Sequence, residues 1–155
     1  MSARLPSAPL ERSQSLFVEL RIPSVLGWER PVIDLAASVA TRIGFPTHRV
    51  EDIKMAVAEA VLNAIEHGNK LNESQQVTLI LVPGADGLEI NVHDQSPFLF
   101  TPPASAPSLD EQLAGRLPPR GWGTFLIRSL VDEVEFTSTE AGNAVRMVVH
   151  LDRQA

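Results

Sequence analysis

Apolar residues recur along this chain with two different periods, which predicts both strands and helices. From residue 16 to residue 22 apolar and polar side chains alternate, as in a strand with one buried face, and Pro23 ends the pattern. Between about residues 29 and 43 the apolar positions instead form a stripe with helical spacing, which predicts an amphipathic helix. Gly44 follows that stripe, as is typical of the C-terminal end of a helix.

A second helix is predicted from residue 49 to about residue 67. Thr47 is expected to cap its N-terminus through its hydroxyl group, and Gly68 is expected to end it. The apolar residues of this segment again have helical spacing, which predicts the face that packs on the core. That face consists of Ile53, Val57, Ala60, Val61 and Ala64.

Two hairpins and a long irregular stretch occupy the rest of the chain. The hairpin strands are expected at residues 77–82, 88–93, 134–139 and 145–151. Turns are expected at 83–87 and 140–143, where Gly, Asp, Asn or Pro residues cluster. Between the hairpins, residues 97–119 are rich in Pro and Ala and predict either a functional lid or a disordered segment. Residues 121–131 predict a short helix.

The order of these elements predicts an α+β fold, a two-layer α/β sandwich with a mostly antiparallel sheet and helices on one face. The 155 residues are enough for one hydrophobic core, so we expect a single domain at residues 15–155. Residues 1–14 are rich in Ser, Pro and Ala without periodicity, and we expect a flexible N-terminal arm there.

Composition excludes several classes of function. The net charge of −6 argues against direct binding of nucleic acid, which depends on Lys and Arg to neutralise phosphates. Because the chain has no cysteine, disulfides, thiolate zinc sites and cysteine nucleophiles are excluded. We find neither a signal-peptide pattern nor an apolar stretch long enough to span a bilayer, so we expect a cytoplasmic protein without membrane contact.

Three polar residues recur at every fourth position of the second helix: Glu59, Asn63 and His67. This spacing places them on one helix face. A solvated polar face is the simplest interpretation of these residues alone. However, Asn is unfavourable inside a helix and the surrounding segment is unusually apolar, which favours a functional role. In that role Asn63 coordinates Mg²⁺ and Glu59 orients or deprotonates a hydroxyl group for attack on a phosphate.

His67 and Asp94 each have structural and functional interpretations. His67 stands at the expected helix C-terminus, where a cation is stabilised; alternatively it lies on the surface or contacts a phosphate or the ribose. Asp94 follows the second predicted strand. Taken alone, it is best explained as the start of a turn, although a carboxylate at a strand end could also accept the exocyclic amine of adenine.

Gly121 and Gly123 precede the apolar part of the last predicted helix. Glycines at such a position allow backbone N–H groups to approach an anion, and a flexible lid hinge would explain them equally well. Arg120 stands beside them and is long enough to reach a phosphate. No P-loop motif is present, which excludes a P-loop enzyme.

Taken together, these motifs resemble those of the GHKL ATPase superfamily, and within it the bacterial anti-sigma-factor serine/threonine kinases of partner-switching systems. Residues 59–68, EAVLNAIEHG, resemble the N box of that group, and residues 94–98, DQSPF, resemble its first glycine box. Residues 120–136, which begin RGWGT, resemble the second glycine box with the helix and strand behind it, and residues 142–147 resemble the closing strand.

This resemblance implies a Bergerat fold that binds ATP and Mg²⁺. It implies that Glu59 is the catalytic carboxylate, that Asn63 is the Mg²⁺ ligand and that Asp94 binds adenine. It also implies a sigma factor and an anti-anti-sigma (STAS) protein as partners, phosphorylation of the latter on serine or threonine, and a homodimer. The implied ATP-binding residues are Asn63, His67, Asp94, Ser96, Arg120, Gly121, Gly123 and Thr124.

The first glycine box departs from the usual pattern at two positions. Ser96 stands at the first glycine and Phe98 at the second. Serine disfavours the left-handed backbone conformation that glycine readily adopts, so a conflict with the loop geometry is expected if that conformation is required. An alternative function is therefore a regulatory module of the same fold that binds partner proteins with little or no catalysis.

Overall fold

A computed structural model describes residues 16–97 and 120–152, with the side chains of 120–122 left undescribed. The predicted order of elements is confirmed. The expected arm at 1–14 and the expected lid beyond Pro97 lie outside the described residues. The elements are β1 (Val18–Pro23), α1 (Glu29–Ile43), α2 (Thr47–Asn63), a π-helical segment (Ala64–Gly68), β2 (Gln76–Gly84), β3 (Gly87–His93), α3 (Arg120–Leu130), β4 (Glu133–Thr139) and β5 (Gly142–His150).

The five strands form one sheet in the order β1-β2-β3-β5-β4, and every neighbouring pair is antiparallel. Alternate side chains of the central strands are buried against the helices, whereas those between them, such as Glu89, Asn91 and Arg146, belong to the opposite face. The predicted two-layer α+β sandwich is therefore confirmed. Its buried sheet face includes Val77, Leu79, Leu81, Leu88, Ile90, Val92, Val145, Met147 and Val149.

The helices contribute the other half of the core. On α1 the fully buried residues recur every four positions, and Leu35, Val39 and Ile43 pack beside them. All five residues predicted for the core face of the second helix are buried. Burying each large apolar side chain contributes roughly 1.5–3 kcal/mol. The buried face of α2 therefore fixes the orientation of the helix and leaves its other faces to polar residues. The buried α1 residues are Val32, Ala36 and Ala40.

The prediction that Thr47 caps α2 was wrong. Thr47 is the first helical residue, and Pro46 occupies the N-cap position with an extended backbone, φ −68° and ψ 159°. The carbonyl group of Pro46 accepts the N–H groups of Arg49 and Val50 at 3.0 Å each. The helix therefore starts from backbone geometry that proline favours, without a side-chain cap.

Both hairpin turns are tighter than predicted. Gly84 pairs with Gly87, and Thr139 pairs with Gly142, so that each turn contains only two residues. Pro83 belongs to β2, because β1 is no longer paired beside it and a missing backbone donor has no consequence there. The predicted turn at 83–87 was wrong in extent for this reason. Within residues 16–97 and 120–152, no helix has the length and apolar character required to cross a membrane.

Candidate functional site

Glu59 and Asn63 lie one turn apart on α2, and both side chains are half-buried. The backbone of Gly123, in the first turns of α3, packs directly against them. A Cβ atom on Gly123 would lie 2.8 Å from Glu59 Oε2 and 3.4 Å from Asn63 Nδ2. Only glycine allows this approach without displacing one of the two side chains, so the structure joins two of the predicted motifs at one point.

The chemistry of this pair suits a cation and a hydroxyl group. Among residues 16–97 and 120–152, no hydrogen bond or ion pair engages the side chain of either Glu59 or Asn63. Two half-buried polar groups without partners among the described residues need water or a ligand to satisfy them. An amide oxygen and a carboxylate are suitable oxygen ligands for Mg²⁺, so the residues present fit a nucleotide-bound Mg²⁺ ion.

The environment of Glu59 favours its protonated form. Burial is the main cause of a raised pKa for Glu59, and the negative charge of Glu66 adds to the effect. A raised pKa brings a carboxylate closer to the range in which it exchanges protons near neutral pH, as a general base requires. Glu59 can therefore accept a proton more readily than an exposed glutamate.

The helix that carries this pair ends in a π-helical turn. The N–H group of Asn69 donates to the Ala64 carbonyl at 2.8 Å, which gives the i→i+5 pattern of a π-helix. His67 lies in this last turn, half-buried, with Nε2 4.0 Å from Glu66 Oε2. The wider turn brings Gly68 against the carboxylate of Asp94, where a Cβ atom would overlap it. The end of the helix thus contacts the end of β3.

The Asp94 carboxylate is held in one orientation by two backbone donors and one side-chain donor. Its Oδ1 accepts the N–H groups of Ser96 at 2.9 Å and Asn143 at 2.8 Å, while Asn143 Nδ2 donates to Oδ2 at 3.3 Å. The hydrogen bond from the Ser96 N–H group closes a turn that begins at Asp94, as the sequence predicted when Asp94 was considered alone. A carboxylate oxygen accepts up to two hydrogen bonds, so Oδ2 retains acceptor capacity for an amine.

Ser96 fits its position without backbone strain. It is buried, and its N–H group bonds to Asp94. Among the described residues other than glycine, only Lys70 and Leu71 have positive φ angles. Ser96 is thus not left-handed, and the expected conflict between serine and the loop geometry does not arise there.

The second glycine motif lies inside a helix rather than before one. Arg120 and Gly121 form the start of α3, and Gly123 and Thr124 follow as buried residues of the same helix. The helix predicted at residues 121–131 is confirmed with limits one residue earlier, and both glycines belong to its first turn.

Sequence reasoning missed three residues around Asp94. Gly68 was expected to end the helix and Asn143 to lie in a turn, neither with a contact to Asp94, and Asn69 was assigned no role. Each of them contacts Asp94 or the peptide that follows it. The available signal was composition: two Asn residues and a Gly flank predicted element ends, where side-chain bonds to backbone groups are common.

Comparisons with known proteins agree with this geometry. The sequence model of the histidine kinase-like ATPase domain matches residues 23–149. The serine-protein kinase RsbW of Bacillus mycoides is 30% identical over 140 residues, which are 88% of this chain and 86% of that protein. The serine-protein kinase RsbW of Bacillus subtilis is 27% identical over 139 residues, with the same shares of the two chains.

A solved structure shows the same fold. The crystal structure of the RsbU and RsbW domains from Mycobacterium tuberculosis superposes with a TM-score of 0.65 at 18% identity. The match covers 91% of this chain but only 34% of that one, so it supports the fold alone. Together the comparisons confirm the predicted superfamily, the predicted fold and the predicted class of enzyme, a serine-protein kinase.

Proposed function

This chain belongs to the family of histidine kinase-like ATPase domains, and we propose that it is an anti-sigma factor with protein serine/threonine kinase activity. In this proposal it binds Mg-ATP and phosphorylates a serine or threonine of an anti-anti-sigma (STAS) protein. Its second partner is a sigma factor, which it sequesters. The observation that carries the proposal is the approach of Gly123 to Glu59 and Asn63.

The residues divide into a phosphate side and an adenine side. On the phosphate side the Asn63 side-chain oxygen holds Mg²⁺, and Arg120, Gly121, Gly123 and Thr124 contact the phosphates. On the adenine side Asp94 accepts the exocyclic amine, with Ser96 beside it. We assign His67, on the half-buried last turn between them, to the nucleotide as well. Bound Mg-ATP supplies the phosphoryl group and neutralises its charge during transfer.

Glu59 acts on the incoming hydroxyl group of the protein substrate. Its Oε2 atom lies against Gly123, on the phosphate side of the site. From that position it orients the serine or threonine hydroxyl group and accepts its proton. Because phosphoryl transfer needs little covalent help, positioning of this kind accounts for most of what the protein contributes.

The alternative of a catalytically inactive binding module has less support. Its main motivation was Ser96 in place of glycine. The buried Ser96 adopts a conformation that serine tolerates and donates to Asp94 through its backbone, as a glycine would. The half-buried Glu59 and Asn63 are retained beside the glycine, which favours a functional active site.

The test is phosphorylation of STAS proteins by the purified chain. STAS-domain proteins encoded in the same genome are incubated with the chain and Mg-ATP, and phosphoserine and phosphothreonine are located by mass spectrometry. We expect one of them to be modified, and Glu59→Gln to reduce the rate by at least about 100-fold, as loss of a general base does. ADP affinity in Glu59→Gln is expected to stay within about threefold of the parent.

Glu51→Gln is the matched control, because Glu51 is an exposed glutamate on the same helix. It should leave phosphorylation unchanged. Undiminished transfer by Glu59→Gln would contradict the assigned mechanism. Stable STAS or sigma-factor complexes without any transfer would instead favour the binding module.

We further propose that the chain forms a homodimer, which sedimentation with and without a sigma factor would test. We also propose that it acts in the cytoplasm and does not bind nucleic acid directly.

A further inference from the structure

Asn69 is a buried residue near the site whose side-chain amide makes three hydrogen bonds within the protein. Its side chain is 2% exposed, and it directly follows the π-helical segment. The amide nitrogen Nδ2 donates to Ser24 Oγ at 2.8 Å and to the Gln76 carbonyl at 3.1 Å. The amide oxygen Oδ1 accepts the N–H group of Gln95 at 2.8 Å. Both donors and the acceptor of one amide are thus used inside the protein.

These bonds join four separate parts of the chain. Ser24, which is fully buried, lies in the connection after β1, and its hydroxyl group donates to the Gln75 carbonyl at 2.8 Å. Gln76 begins β2, and Gln95 follows β3. A buried amide that bonds to several elements fixes their relative positions, because breaking any bond leaves a buried polar group unsatisfied.

The backbone after Asn69 is strained, which indicates that its surroundings determine its conformation. Lys70 and Leu71 both adopt left-handed conformations, with φ angles of 52° and 60°. The N–H group of Leu71 donates to the Ile65 carbonyl at 2.8 Å and so folds the turn back on the helix. Such conformations persist only where other contacts hold the chain, and they concentrate at functional sites. Asn69 provides those contacts at the start of the turn.

The bond to Gln95 connects Asn69 to Asp94. Gln95 is the residue directly after Asp94, so its N–H group belongs to the peptide that follows the carboxylate-bearing residue. Asn143 also holds Asp94 through two hydrogen bonds: the backbone N–H of Asp94 donates to the Asn143 carbonyl at 2.9 Å, and the backbone N–H of Asn143 donates to Asp94 Oδ1 at 2.8 Å. Asp94 is therefore held by Asn143 directly and by Asn69 through the peptide of Gln95.

We propose that Asn69 is a positioning residue for Asp94: its buried amide fixes the peptide of Gln95 and thereby the direction in which the carboxylate meets the amine of adenine. This inference rests on the proposed nucleotide site. We expect Asn69 to influence which base the site prefers, because the hydrogen bond from Gln95 lies on the adenine side of the site and not beside Glu59 or Asn63. Ser24, which bonds only the other end of the amide, has a structural role.

The experiment compares two nucleotides that differ at the amine. Dissociation constants of ADP and inosine diphosphate, which lacks the exocyclic amine, are measured by calorimetry with Mg²⁺ for the full chain and for Asn69→Ala. We expect the parent to prefer ADP by at least about tenfold, since a site built to bond a polar group rejects an analogue without it. In Asn69→Ala the preference should fall by about tenfold or more, mainly through weaker ADP binding.

Ser24→Ala is the matched control, because it removes a bond of the same amide but leaves Gln95 bonded to Asn69. It should lower the melting temperature without changing the ratio of the two dissociation constants. If Asn69→Ala does not fold, Asn69→Ser replaces it, because its smaller polar side chain leaves room for water but cannot reach Gln95 directly.

The outcomes separate this inference from the function on which it rests. A parent chain that binds both nucleotides equally, or neither, would overturn the proposed nucleotide site and this role of Asn69 with it. A parent that prefers ADP, together with an unchanged ratio in Asn69→Ala or Asn69→Ser, would overturn the positioning role alone. Equal losses for both nucleotides would likewise show that Asn69 is only structural.

Discussion

Gly123 and Glu59 come from distant parts of the sequence, yet a Cβ atom on Gly123 would lie 2.8 Å from Glu59 Oε2. The neighbour that would have to move is the end of a flexible side chain rather than a backbone atom. The close approach therefore matters little to the core of the fold. It matters to the position of the one carboxylate that we assign to catalysis.

Gly123→Ala should separate stability from activity. The added methyl group displaces the Glu59 carboxylate. A misplacement of about 1 Å at a reacting group lowers a rate by about 100-fold. Stability should change by less than about 1 kcal/mol, because alanine also favours the helix by roughly 0.5–1 kcal/mol over glycine. Phosphorylation rates and thermal unfolding test this, with Ser129→Ala on the same helix as control. Normal activity in Gly123→Ala would contradict the assigned role of the contact.

The pH dependence of phosphorylation should report Glu59. Its pKa is raised by burial and, secondarily, by the charge of Glu66. The protonated form cannot accept a proton, so kcat/KM should fall as the pH drops through the raised pKa of Glu59. Glu66→Gln removes the repulsion and should move this acid limb to lower pH, whereas Glu51→Gln should not move it. An acid limb unaffected by Glu66→Gln would refute this electrostatic link.

Glu59 should also reduce the stability of the nucleotide-free protein at neutral pH. Since its pKa is higher in the folded state than in the unfolded state, its favourable contribution is present at low pH and is lost as the pH rises through the folded-state pKa. Glu59→Gln should therefore have the higher melting temperature at pH 7. The gain should vanish below about pH 4, near the ordinary pKa of glutamate. A melting temperature that is lower at pH 7 would contradict this.

Arg49 connects the start of α2 to the end of α3. Its Nη1 atom lies 3.1 Å from Asp52 Oδ2 and 3.3 Å from the Leu130 carbonyl, and Nη2 lies 2.9 Å from Asp132 Oδ2. Asp132 Oδ2 also accepts the N–H group of His150 at 2.7 Å. One guanidinium group thus holds the C-terminal end of the helix whose other end carries Gly123.

Arg49→Ala should lower the free energy of unfolding by about 1–2 kcal/mol, because several partly buried charge-assisted bonds are lost together. Arg49→Lys keeps the charge but not the planar fork, so its loss should be intermediate. Urea unfolding measures both. Lys54→Ala, which removes a more exposed pair with Glu51 on the same helix, should cost less than about 0.5 kcal/mol. Equal losses of stability in Arg49→Ala and Lys54→Ala would contradict the proposed stabilising role of the Arg49 hydrogen bonds.

Local patterns were sufficient to predict most elements. The helix at Glu29–Ile43 has the predicted limits, and the predicted core face of α2 is buried throughout. These predictions succeed because the period of apolar residues reflects which face of an element is buried. The limits of α2 and of the turns were less accurate, since Pro46 and the paired strand ends decide them.

The sequence alone determined the family motifs, the helix face of Glu59 and Asn63, and the α+β architecture, because these depend on spacing along the chain. Only the tertiary structure decided that Gly123 lies against that pair, that Ser96 fits its buried place, and that Asn69 holds the peptide after Asp94. The physical reason is that hydrogen bonds and close approaches between distant segments depend on how the helices and strands pack.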